Sequence, residues 1–403
     1  MADVVHGNSI PEIDFAAPRA DDHAYLAAAA ALAPVARVAT GPFVSFRHRN
    51  ADALFSDENT RQIETEMALL RGIATGPIFN LFKNAMLTAN GEAHTRRRAP
   101  VARTFAFKLM DGMRPQIRAL AEDLVAQFKD AGPIDFLNQV AQEVPSRMIA
   151  RILGVPQADI ATFSVWVNRT AHALGPFAPE DQADIEANMQ AFSGYVAELL
   201  AERRTSPRDD FLTDYVRATS EDGLLNEDEV RTQIMGLILA GSETTRTSIS
   251  ATLSLLLQHP EQWRAFCADP DGLKKSVVAE GLRYDPAIGG ILRVATREFE
   301  IEGHRIPQGA IVLISFLTAL RDPEAYADPD RFDITRTDHP RWPLGFGAGA
   351  HRCLGEALAR AELEETLAVI AREAPNTGLA GAPPKLTGLG GIRRIDRMQV
   401  ALA

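Results

Sequence analysis

The chain has 403 residues, 46% hydrophobic and 24% charged, a balance too apolar for a disordered chain. A formal net charge of −11 argues against nucleic acid, whose binders carry basic faces, and favours a small-molecule partner. With only two cysteines, Cys267 and Cys353, no disulfide framework or structural thiolate cluster is expected.

From the N-terminus, MADVVHGNSIPEIDF is polar and lacks the apolar core of a secretory signal. The longest greasy run, AYLAAAAALAPVA, is alanine-rich and shorter than the ~18 residues of a membrane span. A cytoplasmic protein without a membrane segment is expected. VARVATGPFVSFRH carries the first strand signals, and GEAHTRRRAP is a helical stretch with His94 and Arg98 one turn apart. Apolar residues recur at helical spacing over 107–129, 179–203, 226–259, 271–284 and 355–373, with further strand signals in REFEIEGHRIPQGAIVLIS and RMQVALA. Cys267, in the helical-looking HPEQWRAFCADP, reads as a packing residue. No linker or internal repeat interrupts the pattern, so residues 1–403 read as one domain, mainly α with a minor β portion.

The longest helix begins at Asn226, a capping residue followed by Glu227, Asp228 and Glu229, and stops near His259-Pro260. It is ~50 Å long at ~1.5 Å per residue. Its middle, AGSETT (240–245), collects poor helix formers. Hydroxyls and glycine there either loosen the helix and open a groove or serve close helix packing.

FGAGAHRCLG (346–355) places Cys353 at the entrance of the helix over 355–373. A thiolate is the metal-binding form of cysteine, and a helix N-terminus lowers the thiol pKa. Gly347, Gly349 and Gly355 let the backbone approach a flat cofactor. One thiolate cannot assemble a zinc or iron–sulfur centre, leaving axial ligation of haem iron, a buried structural cysteine or a reactive nucleophile.

These residues resemble the cytochrome P450 haem-thiolate monooxygenases, specifically soluble bacterial members. The family's Phe-x-x-Gly-x-x-x-Cys-x-Gly matches at Phe346, Gly349, Cys353 and Gly355. Its Ala/Gly-Gly-x-Asp/Glu-Thr matches at Ala240, Gly241, Glu243 and Thr244, its Glu-x-x-Arg at Glu280 and Arg283, and its Pro-x-Arg-Phe at Pro329, Arg331 and Phe332. The resemblance implies a single-domain P450 fold with haem b between the long helix and the cysteine-loop helix. Cys353 would be the iron ligand, with Ala240, Phe346 and Gly347 against the haem and His94, Arg98, Arg293 and His351 on its propionates. Glu280, Arg283 and Arg331 would form a structural triad.

It further implies insertion of one atom of dioxygen into a hydrophobic organic molecule, by hydroxylation or oxidative dealkylation. Thr244 would hydrogen-bond the oxygen and Glu243 would relay protons. Electrons would come from a ferredoxin and its reductase, ultimately from NAD(P)H. Arg96, Arg97 and Arg103 form a basic face, read as solvated and as a possible meeting place for that donor. Leu320 departs from the asparagine that relatives often carry before Arg-Asp-Pro, and Trp342-Pro343 from their usual approach to the cysteine loop. A peroxide-driven peroxygenase and a non-enzymatic haem sensor are the alternatives. Candidate pocket residues are Ile78 and Phe79 in LLRGIATGPIFNLFKN, the stretch from Trp166 to Phe177, Leu237, Ala240, and Gly289 and Ile291 in AIGGIL. Gly289 and Gly290 are expected to leave room for a ring.

Overall fold

Helix signals in the sequence correspond closely to the elements of the computed structural model, which describes residues 10–105, 112–175 and 177–403. Seven helices frame the interior: α1 Gly76–Asn84, α2 Gly91–Thr104, α3 Arg114–Phe128, α4 Gln182–Thr205, α5 Glu227–Gln258, α6 Pro270–Tyr284 and α7 Glu356–Glu373. In α5 the expected capping box is formed: Asn226 accepts from Glu229 N–H, and Glu229 reaches back to the Asn226 N–H. The helix ends where Pro260 begins a new one, because the residue before proline resists the α region. The signal over 107–129 becomes α3, while its first turn, 107–111, lies outside the described residues.

The AGSETT segment does not open the helix. α5 stays α-helical throughout, and the hydroxyls of Ser242 and Thr244 bond back to the carbonyls of Ile238 and Ala240, each at 2.8 Å. Hydroxyls that find acceptors one turn back remain compatible with the helix.

Strands β1 Val35–Val38, β2 Phe43–Ser45, β3 Thr60–Gln62, β4 Ile288–Ala295 and β5 Ile311–Ser315 belong to one sheet. β1 and β2, which pair antiparallel, fall where VARVATGPFVSFRH carries its strand signals. β4, antiparallel to both β5 and β3, and β3 itself carry no strand signal in the sequence. The two glycines of β4 serve backbone packing instead of leaving room for a ligand. A Cβ on Gly290 would lie 2.4 Å from Ile314 O, and one on Gly289 would lie 2.8 Å from Gly388 O.

The helices pack around α5: α7 rests on α3, α6 and α5, while α4 covers α5 from another side. Along α5 nearly every inward residue is buried, yet Ala240 and Gly241 are exposed. They face an internal cavity whose opposite wall is the cysteine loop.

Candidate active site

The cavity has a volume of about 310 Å³ and is mostly apolar. One wall is α5, contributing Gly236, Leu237, Ala240, Gly241, Thr244 and Thr245; the facing wall is Phe346, Gly347, His351, Cys353 and Leu354. Ile291 lines it from β4. Leu237, Ala240 and Ile291 therefore sit where the sequence places them. Ile78, Phe79, Gly289 and the described residues of the Trp166–Phe177 stretch do not line this cavity: Ile78 is wholly buried in the core and Phe79 packs against that core.

Cys353 opens onto the cavity while lying deep in the protein. Its N–H donates to Phe346 O at 2.8 Å, closing a loop in which Gly347 has φ +72°. Burial pushes its thiol up from the ordinary range, against the lowering expected at a helix start, although the Gly355 N–H and the Arg98 and Arg352 guanidiniums act to lower it. A metal cation bound to sulfur overrides such burial and deprotonates the thiol outright. Among the described residues, no group of three or more His, Cys, Asp or Glu could hold a metal ion. A single sulfur facing a mostly apolar cavity therefore fits a metal carried by its own macrocycle.

Basic groups gather at one edge. The His94 and His351 rings lie against each other, tilted by 32° with centroids 3.9 Å apart, and the buried His94 Nε2 has no hydrogen-bond partner. Burial, reinforced by the charges of His94, Arg293 and Arg98, holds His351 down to about 3. Arg98 lines the cavity and donates to Arg352 O at 2.6 Å, whereas Arg293 stands behind, donating to Thr60 Oγ1 at 2.9 Å and Asp57 at 3.3 Å. Basic groups crowded in this way, with an orphaned imidazole nitrogen, fit a ligand with acidic substituents.

Glu243 and Thr244 are neighbours in sequence but point into different spaces. Thr244 lines the main cavity. Glu243 pairs with Arg246 at 2.6 Å and lines a second cavity of about 300 Å³ together with His172, Arg394 and Asp396.

Behind the cysteine loop, Glu280 is fully buried and holds Arg283 through two hydrogen bonds of 2.7 and 2.8 Å. It also accepts from the Asp333 N–H at 2.8 Å. The third side chain of this network is not Arg331, whose side chain is 68% exposed and faces Asp333 at 3.5 Å. Arg331 contributes its carbonyl to Arg283, and the second cation near Glu280 is Arg336, 6% exposed and 3.4 Å away. The motif places Arg331 at a turn where its backbone is usable and its side chain points out. Arg331→Ala should therefore leave stability within about 0.5 kcal/mol, while Arg336→Ala should lower it by roughly 1–3 kcal/mol in chemical denaturation.

The Arg96, Arg97 and Arg103 face is paired within the protein, three guanidiniums against two carboxylates. Arg96 and Arg97 pair with Glu229, and Arg103 pairs with Asp222. Arg97 is buried, contrary to its reading as a solvated residue.

Sequence reasoning also missed Glu362, buried in α7 beside Thr245 and pushed up to about 8 by burial. Its sequence context, ELEE, reads as an exposed face, yet Glu364 and Glu365 are buried too, against Arg114, Arg118 and Lys274. The cavity residues Met86, Leu87 and Gln233 carried no motif that could have marked them.

The family model described as Cytochrome P450 matches residues 157–266 and 273–373. A plant-inducible cytochrome P450 of Rhizobium radiobacter is 37% identical over 371 residues, covering 92% of this chain and 87% of its own length. The steroid C26-monooxygenase of Rhodococcus jostii is 31% identical over 354 residues, covering 87% of this chain and 72% of its own. Among solved structures, a myxobacterial cytochrome P450 in complex with myristic acid aligns with a TM-score of 0.82 at 30% identity, covering 94% of this chain and 96% of that one.

Proposed function

The chain belongs to the cytochrome P450 family, whose members are haem-thiolate monooxygenases acting on small organic molecules with dioxygen, and we propose that it hydroxylates or oxidatively dealkylates a hydrophobic substrate using haem b and a separate ferredoxin. The observation that carries this reading is the apolar slot between Ala240–Thr244 and the Cys353 sulfur, with basic groups along one edge. Cys353 would ligate the iron, Arg98 and His351 would meet the propionates directly, and His94 and Arg293 would support His351. When bound, haem supplies the reductive activation of dioxygen, which a thiolate ligand favours.

The remaining chemistry belongs to the chain. Apolar walls exclude water and hold the substrate by shape. The Thr244 hydroxyl, donating to Ala240 O at 2.8 Å, can turn to present its proton to the cavity. Glu243, on the other side of the helix, would take protons from solvent through the second cavity. Thr244→Ala should divert reducing equivalents from product to peroxide while leaving substrate binding intact, as measured by the peroxide-to-product ratio. A ratio unchanged from the parent removes Thr244 from proton handling.

Support for an acidic electron donor comes from a basic patch on the cysteine-loop side. Trp342 is 64% exposed, with the guanidiniums of Arg341 and Arg352 over its ring at 5.4 and 4.9 Å. Arg352 and Arg360 share the single carboxylate of Glu356, leaving the patch positive. An exposed aromatic ringed by cations suits a negatively charged partner. Among the described residues, no helix is long and apolar enough to cross a membrane. The decisive experiment is reconstitution with haem, a ferredoxin, its reductase and NAD(P)H, screening hydrophobic compounds for a spin-state shift and oxygenated product. A haem-loaded protein that gives neither with any class of compound would overturn the reading.

A further inference from the structure

A helix leaves its last carbonyls without partners of its own, and beside a cavity such an end ordinarily frays. The end of α1 is instead pinned to its neighbours. Arg97 donates to Lys83 O at 3.0 Å, and Gln233 Nε2 donates to Asn84 O at 2.9 Å. Gln233 Oε1 accepts the Met86 N–H at 2.7 Å, and its second amide hydrogen goes to Glu229 O at 2.7 Å. Thr88 closes the turn by donating to Phe82 O.

Gln233 is 1% exposed and stands in the cavity wall. Both of its amide hydrogens are used within the protein, so it has no donor left for a bound molecule. What it does is hold the chain after α1 so that Ala85, Met86 and Leu87 project into the cavity alongside Leu237. Leu87, 48% exposed despite its apolar side chain, faces that space. From these bonds we infer that Gln233 is a positioning residue that fixes the roof of the substrate cavity through Asn84 and Met86, and so sets the size of molecule accepted. The inference rests on the monooxygenase reading and adds where discrimination is made.

The test is optical titration of the haem-loaded protein with imidazole and with 1-phenylimidazole, comparing their dissociation constants. Gln233→Met keeps the side-chain length and removes the amide. It should shift the phenyl-to-plain ratio by about tenfold while binding of plain imidazole and the ferrous–carbonyl spectrum stay as in the parent. Met86→Ala should shift the ratio too, and the double variant should give less than the sum of the two, as expected for groups acting through one contact. An unchanged ratio in Gln233→Met, or strictly additive effects, overturns the inference. Should Gln233→Met fail to fold, hydrogen exchange on the parent decides: the Met86 amide should be strongly protected, and rapid exchange there overturns the brace. Failure to bind imidazole at all would instead sink the haem reading, so the two failures are distinguishable.

Discussion

Cys353→Ser should abolish the thiolate-type ferrous–carbonyl spectrum and reduce monooxygenase turnover to background, with the fold retained. The loop itself survives because its geometry rests on backbone groups: the residue 353 N–H donates to Phe346 O, and Gly347 holds a positive φ that serine at 353 does not disturb. Serine removes only the sulfur. A neutral hydroxyl would be a poor ligand for haem iron and would supply none of the electron density that a thiolate offers. Circular dichroism, haem content and the carbonyl spectrum together separate ligand loss from unfolding. A serine variant that kept the thiolate spectrum would falsify the assignment of Cys353 as ligand.

The second large effect is on stability. Glu280→Ala should destabilise the protein by about 3–5 kcal/mol, because removing one partner of a buried pair strands the other charge. Arg283 is only 2% exposed and would be left with the carbonyls of Leu320, Pro329 and Arg331. Those carbonyls belong to the segment leading toward the cysteine loop, so loosening Arg283 should also lower the fraction of protein that holds haem. Glu280→Gln should recover part of the loss, since an amide oxygen still accepts the Asp333 N–H. Thermal unfolding and haem stoichiometry read both effects. An alanine variant with ordinary melting and full haem loading would show that the pair is dispensable.

The fold was legible wherever a periodic face and a terminus signal coincide. α5 shows this best: its capping box and its stop before Pro260 both stand in the sequence. β4 was not legible, since IGGILRVA offers no alternation and its glycines answer to backbone that approaches from other parts of the chain. Among site residues, the cysteine loop and the α5 motif were readable because their chemistry demands unusual residue types at fixed spacing. Arg331 was misread because a motif names a residue without saying whether its backbone or its side chain is used. Met86 and Gln233 carry no composition signal. Their placement depends on how α1 ends against α5, a tertiary fact that local pattern does not encode.

One consequence of α5 concerns traffic. Glu243 and Thr244 sit side by side on the backbone yet look into separate chambers, so the helix acts as a partition wall with a carboxylate on one side and a hydroxyl on the other. On the proposed reading, the oily molecule and the hydrogen ions would reach the reaction by different doors. A guest that filled the first chamber completely would leave the polar second chamber unobstructed, and tight occupancy would not slow the supply of acid equivalents.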